Sequence, residues 1–383
     1  MDRVVVVGAS LAGLRAAQAV RASGHEGSLV VVGDEEHPPY NRPPLSKGLL
    51  AGAQSHADCV FPGVDALDAE WRLGAAAVGL DRDGRTVALA DGGRVPYDRL
   101  VVATGCRART WPGAEGVVTL RTVDDAVALG RALQPGARLA IVGAGFVGCE
   151  VAATARGLGC DVTLVDVAPH PLLPLGPELG GRCAALHREH GVDLRLSTAV
   201  DAVDRAGITL AGGERVDADV VLVALGGVPN TEWLAGSGLT LDARGGLRCD
   251  GTLTSVDDPD VLAAGDVAAW PHALVGGEVV RVEHWTTAAE HGGLAGRNAV
   301  VDPADRAAHV APPYFWSDQY ATKIQAVGFP GRAATLAIVE EDGPRLLAEA
   351  HDADGRLVGA VAFNHAKRLA AYRRRLATEA VAA

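Results

Sequence analysis

A tight glycine turn between a strand and a helix, followed about twenty residues later by a carboxylate, can hold a dinucleotide. The helix N-terminus takes the pyrophosphate and the acid takes a ribose diol. This sequence carries the arrangement twice. Val4–Val7 runs into Gly8-Ala9-Ser10-Leu11-Ala12-Gly13, and Asp34 and Glu35 follow Gly13 by 21 and 22 residues. Leu139–Val142 runs into Gly143-Ala144-Gly145-Phe146-Val147-Gly148, and Asp166 lies 18 residues past Gly148. The second turn has all three glycines. In the first, Ser10 replaces the glycine that normally lets backbone approach the pyrophosphate, so it gives up closeness and offers a hydroxyl. Taken alone, the first turn could equally be one that merely closes a strand–helix unit. Were the second turn to hold a nicotinamide nucleotide, Asp166 would bear on which one: a carboxylate accepts from both ribose hydroxyls of NADH, whereas a 2′-phosphate would meet like charge. Val167-Ala168-Pro169-His170 offers no arginine or lysine to receive a phosphate. The sequence therefore predicts NADH over NADPH.

The elements that must position these residues repeat. In the first half, a helix over Leu11–Val20 and a strand over Leu29–Val32 follow the turn. Strands around Val87–Leu89 and Leu100–Val102 flank Asp91-Gly92-Gly93, and the second ends in Ala103-Thr104-Gly105. In the second half, Thr122 caps a helix with Asp125 three residues on, although a full capping box prefers Glu or Gln there. Strands at Leu139–Val142, Val162–Val165 and Asp219–Ala224 follow, the last running into Leu225-Gly226. Gly8 to Gly105 spans 97 residues and Gly143 to Gly226 spans 83, so the halves match in order and size. Two dinucleotide sites in one chain imply two nucleotides, one of them a flavin that passes electrons to or from the other. Val261–Ala264 then runs into Gly265-Asp266 and returns the chain to its first half; alone it reads as a strand end with a helix cap.

Composition narrows the classes further. A chain of 383 residues, 48% hydrophobic with 48 glycines, is a turn-rich α/β protein of two or three domains. A formal net charge of -12 argues against a nucleic-acid partner. The six cysteines show no C-x-x-C and no zinc spacing; they read as small buried hydrophobes, which removes disulfide-reductase chemistry. No metal site is expected; His187 and His190, three apart on a helix, read as a solvated face. The start is too short and acidic for a secretory signal, and no apolar run approaches about 18 residues. A cytoplasmic protein with no membrane contact is expected.

Several motifs carry a resemblance. Pro43-Pro44-Leu45-Ser46-Lys47, Ala103-Thr104-Gly105, the turn from Gly143 to Glu150, and Ala263-Ala264-Gly265-Asp266 are joined by Val282-Glu283-His284-Trp285 and Phe315-Trp316-Ser317-Asp318-Gln319-Tyr320. With these, spread over residues 4 to about 370, the chain resembles the flavoprotein ferredoxin reductases of the oxygenase-coupled type, in the glutathione-reductase-fold superfamily. The fold implied is α/β, with two Rossmann-like dinucleotide-binding domains and a C-terminal α+β interface domain. Residues 1–110 and 232–311 would form a discontinuous FAD domain, 111–231 the NAD domain, and 312–383 the interface domain.

The resemblance implies FAD on Gly8, Ser10, Ala12, Gly13, Thr104 and Gly105, with Asp34 or Glu35 on the adenosine ribose. Arg42 and Lys47 would approach the pyrophosphate and isoalloxazine, Ala77 would meet the adenine through backbone, and Arg121 would be a further contact. Asp266 would bond the ribityl chain; Trp285 would sit beside the ring and Trp316 near its edge. Gly143, Gly145, Phe146, Val147, Gly148, Asp166 and Gly226 would take NADH. Lys47 and Glu150 are expected to pair beside the isoalloxazine as the catalytic residues. The implied activity is NADH-dependent reduction of a small acidic iron–sulfur ferredoxin serving a monooxygenase or dioxygenase. The alternatives are a flavoenzyme acting directly on a small molecule or oxygen, and a redox-sensing binding flavoprotein. From Gly355 to Ala383 six basic residues face one acid, Glu379, a +5 run suited to an acidic ferredoxin or to plain solvation.

Overall fold

Runs such as Val4–Val7 and Val220–Val223 are apolar at every position, the pattern of strands covered on both faces of a parallel sheet. The computed structural model, which describes residues 2–382, folds them that way. One five-stranded sheet has the order Val261–Ala263, Arg99–Val102, Arg3–Val7, Ser28–Val32, Glu70–Arg72, and every pairing in it is parallel. A four-stranded parallel sheet has the order Asp193–Arg195, Asp161–Val165, Arg138–Val142, Val220–Val223. Each is accompanied by a three-stranded antiparallel meander, Ala77–Pro96 in the first half and Val200–Asp217 in the second. The internal repeat thus extends to the meanders. One detail differs from expectation. Asp91-Gly92-Gly93 turns Thr86–Leu89 back onto Arg94–Pro96, a short strand the sequence reading passed over, rather than onto Leu100–Val102.

The chain leaves the first sheet along Cys106–Ala108 and returns along Gly227–Pro229, and these two strands pair antiparallel. The remainder is an α+β unit. Its antiparallel five-stranded sheet, Tyr314–Gln319, Thr322–Gly328, Leu357–Phe363, Arg345–His351 and Thr335–Asp342 in spatial order, packs against helix Ala366–Ala382. Among the described residues, no helix is long and apolar enough to cross a membrane.

Two helices meet closely behind the first glycine turn. Leu11–Ala22 starts at that turn, and Trp285–Val300 crosses it with glycines at the contact. A Cβ on Gly292 would lie 2.2 Å from the Ala12 carbonyl oxygen, and one on Gly296 2.3 Å from that of Ala16. Only hydrogen fits in both places.

Candidate active site: a cavity between two glycine turns

The two turns share one construction. Gly8 has φ +119° and Gly143 φ +110°, and a Cβ on either would strike the carbonyl of the neighbouring strand, Ala103 or Ala224. Where each helix begins, a Cβ on Gly13 would be 1.7 Å from Gly8 O and one on Gly148 1.9 Å from Gly143 O. The outer two glycines are therefore required by the protein's own packing. The middle one is not: a Cβ on Gly145 meets nothing within 4 Å, so Ser10 fits at the equivalent place. Neither Ser10 nor Gly145 makes a side-chain cap hydrogen bond, and the first-turn N–H groups have no partner within their helices. Each helix thus presents donors and a positive dipole end.

In front of the first turn lies a cavity of about 550 Å³, in the range of cofactor sites. Gly8, Ser10 and Ala12 line it; Gly13 packs behind. The acidic pair divides. Both line the cavity: Asp34, the more exposed, accepts from the Glu35 N–H, while Glu35 turns inward to accept from the Tyr40 hydroxyl (2.5 Å) and to pair with Arg42. Arg42 also donates to Ser10 Oγ (3.2 Å) and to the Arg121 carbonyl (2.7 Å). Ala77, Thr104 and Gly105 line the same wall. Thr104 Oγ1 donates to the Asn230 carbonyl, and Asn230 Nδ2 donates back to the Thr104 carbonyl. Asn230, from the second crossing strand's exit, was not singled out from the sequence because nothing local marks it.

Deeper in, Asp266 accepts from Arg121 Nη2 at 2.8 Å and from the Cys106 thiol at 3.2 Å. Burial, reinforced by the Asp266 carboxylate, pushes the Cys106 thiol well above its ordinary pKa, so it stays a protonated donor. All six cysteines are free and buried, as their spacing suggested. Trp285 donates from Nε1 to Asn41 Oδ1 at 2.8 Å and stands edge-on to Trp316, 5.9 Å away; both line the cavity. Phe146, Val147 and Glu150 reach the cavity from the second turn's helix.

Lys47 and Glu150 meet there. Lys47 Nζ lies 2.5 Å from Glu150 Oε2, and the Ser46 hydroxyl donates to the same oxygen at 2.5 Å. Ser317 Oγ donates to Oε1 at 2.8 Å. Ser46 and Ser317 sit in motifs noted in the sequence, yet only the tertiary fold aims them at Glu150.

The rest of the second turn opens elsewhere. Gly143, Gly145, Gly148, Asp166 and Gly226 lie outside this cavity, at the C-terminal ends of their sheet's strands, where nucleotides bind in such sheets. Asp166 accepts from Ala144 N (2.6 Å) and Ala168 N (2.8 Å), which clamps the turn.

One surface expectation is corrected. His187 is fully buried, bonded to Gln319 and Tyr320, and only His190 is exposed; the helix turns its i position inward against the C-terminal sheet. In the C-terminal basic run, Arg368 pairs with Glu340, Arg373 with Glu290 and Arg375 with Glu379.

Comparison with known proteins agrees with this geometry. The pyridine nucleotide-disulphide oxidoreductase family matches residues 2–292, and the reductase C-terminal family matches residues 314–383. The ferredoxin--NAD(+) reductase component of the anthranilate 1,2-dioxygenase system of Burkholderia cepacia is 37% identical over 99% of this chain and 95% of its own. That of the p-cumate 2,3-dioxygenase system of Pseudomonas putida is 34% identical over 98% and 93%. The crystal structure of the covalent putidaredoxin reductase–putidaredoxin complex superposes with a TM-score of 0.92 at 31% identity, covering 99% and 93% of the two chains.

Proposed function

Because the chain belongs to the pyridine nucleotide-disulphide oxidoreductase family and ends in a reductase C-terminal domain, we propose that it is an NADH-dependent, FAD-containing ferredoxin reductase. It passes electrons to a small iron–sulfur ferredoxin that serves a monooxygenase or dioxygenase, in the cytoplasm. The observation that carries this reading is one cavity lined by the first glycine turn and by the helix that starts at the second, with an ion pair contributed from both halves inside it. The relatives' role as reductase components of dioxygenase systems supports the acceptor class. Six unpaired cysteines suit a reducing compartment.

The residues present fit an FAD. The unpartnered N–H groups at Ser10–Ala12 and the Arg42 guanidinium would hold its pyrophosphate, and Glu35, the inward acid, its ribose. Asp266 would accept from the ribityl hydroxyls, oriented for that by Arg121 and Cys106. An FAD held here would supply the chemistry that takes hydride from NADH and passes electrons on singly. Lys47 would place a positive charge beside it. Glu150 would accept from the nicotinamide carboxamide, while the second turn, through Gly143, Gly145 and Gly148, would take the NADH pyrophosphate and Asp166 its ribose. Trp285 and Trp316, which line the cavity on the side of the C-terminal unit, would screen the ring from water.

The test is spectroscopic and kinetic. The purified protein should carry flavin absorbance that NADH bleaches, and cytochrome c reduction should require added ferredoxin. Full cytochrome c activity without ferredoxin would point to a directly acting oxidoreductase, and bleaching without turnover to ferricyanide would point to a sensor.

A further inference from the structure

An ionised carboxylate offers about four acceptor positions. Three on Glu150 are filled: Ser46 and Lys47 both donate to Oε2, and Ser317 donates to Oε1. About one remains, on Oε1, and the hydroxyl already bonded there fixes its direction.

Ser317 is not free to turn. It is fully buried and receives a hydrogen bond from Gln319 Nε2 at 3.1 Å, so its own proton goes to Glu150. With its amide nitrogen spent on Ser317, the fully buried Gln319 presents Oε1 to His187 Nε2 at 3.1 Å. His187 must then carry its proton on Nε2 and accept from the Tyr320 hydroxyl on Nδ1, at 3.0 Å. Burial brings the His187 pKa down to about 4, so the ring stays neutral and keeps that tautomer. Outside, the His190 ring stacks on Tyr320 with centroids 3.6 Å apart. Every bond points the same way, from Tyr320 through His187, Gln319 and Ser317 to Glu150. Three buried groups and a half-buried tyrosine could satisfy one another without touching the cavity. These end on the one carboxylate that both halves of the site share.

We propose that Ser317, held by Gln319, His187 and Tyr320, is a positioning residue that directs the last acceptor site of Glu150 toward the carboxamide N–H of the nicotinamide. This rests on the assignment of Glu150 to the nicotinamide made above. It gives the C-terminal sheet, which supplies Ser317, Gln319 and the adjacent Tyr320, a part in selecting the electron donor.

The test compares NAD+ with 3-acetylpyridine adenine dinucleotide, whose acetyl group has no N–H to give. Calorimetry on the flavin-loaded protein measures both dissociation constants, and kcat/KM for the two reduced forms is a second readout. In the wild type NAD+ should bind more tightly. Ser317→Ala should shrink that preference by about tenfold, the loss of one hydrogen bond to a charged group, with the analogue's own affinity unchanged. Gln319→Met, which frees the serine to rotate, should move the ratio in the same direction, and it keeps the test open if Ser317→Ala does not take up flavin. Glu150→Ala separates the two layers. If it preserves the preference, Glu150 does not contact the carboxamide and both readings fall. If it abolishes the preference while Ser317→Ala and Gln319→Met retain it, the positioning role alone is overturned.

Discussion

Lys47 and Glu150 stand 103 positions apart in the chain and 2.5 Å apart in space, with only 8% of the glutamate side chain exposed. A buried pair of this kind is weak as a source of stability, but losing one partner strands the other charge. Lys47→Met should therefore slow NADH-driven flavin reduction by at least about tenfold in stopped flow and lower thermal stability. The double variant Lys47→Met/Glu150→Gln should regain the stability but not the rate. An unchanged rate in Lys47→Met would remove the lysine from the mechanism. Asp166 allows a second residue-level forecast. Asp166→Ala removes the proposed ribose acceptor and the clamp on Ala144, so the ratio of kcat/KM for NADH over NADPH should fall by about tenfold or more. At this scale the sequence revealed the residues whose constraint is local: the glycines, the acid after each strand, the lysine in its motif. It did not reveal that Glu35 rather than Asp34 turns inward, or that Ser317 bonds Glu150. Those facts depend on strands and helices brought together from distant segments.

Among the elements, the helix pair Leu11–Ala22 and Trp285–Val300 sets the site's dimensions. One begins at the first glycine turn and the other begins at Trp285, so their separation fixes how far the tryptophan stands from the pyrophosphate cradle. Gly296→Ala would force the helices apart, at a cost of about 1–3 kcal/mol for an overpacked contact. A fall in thermal midpoint together with weakened flavin retention is expected; a midpoint equal to the wild type would show that the helices yield freely. Elements with strong apolar runs were legible from sequence, and so was the capped helix after Thr122. There the shorter Asp125 does complete a capping box, its Oδ2 accepting from Thr122 N at 2.9 Å. The short strand Arg94–Pro96 escaped because three residues, two of them exposed, carry too little pattern to outweigh their neighbours.

In the whole molecule, histidines buried without charge set the response to acid. Burial holds His187 and His272 at about 4 and His291 well below its ordinary value of 6.5. The unfolded chain takes up protons at these positions as pH falls through 6.5, whereas the folded chain does not until about 4. Their contribution is thus complete above pH 6.5 and is lost progressively toward 4, by up to about 3 kcal/mol for each of the first two. Thermal midpoints measured across that window should decline steadily on acidification, and a flat profile would contradict this account.

The strand order of the first sheet also bears on how the protein is made. Arg99–Val102 waits for Val261–Ala263 at its side, and helix Leu11–Ala22 waits for Trp285–Val300. The unit that starts the chain is thus completed only after the unit inserted within it has left the ribosome. N-terminal domains usually fold first during synthesis; here the internal unit built around the second glycine turn should close earlier, from contacts of shorter range. Stalled nascent chains long enough for residue 231, but not yet Val261–Ala263, to have left the ribosome should therefore protect the second glycine turn from protease while leaving the first open. FAD would then be captured late, by a protein whose site for the electron donor is already built.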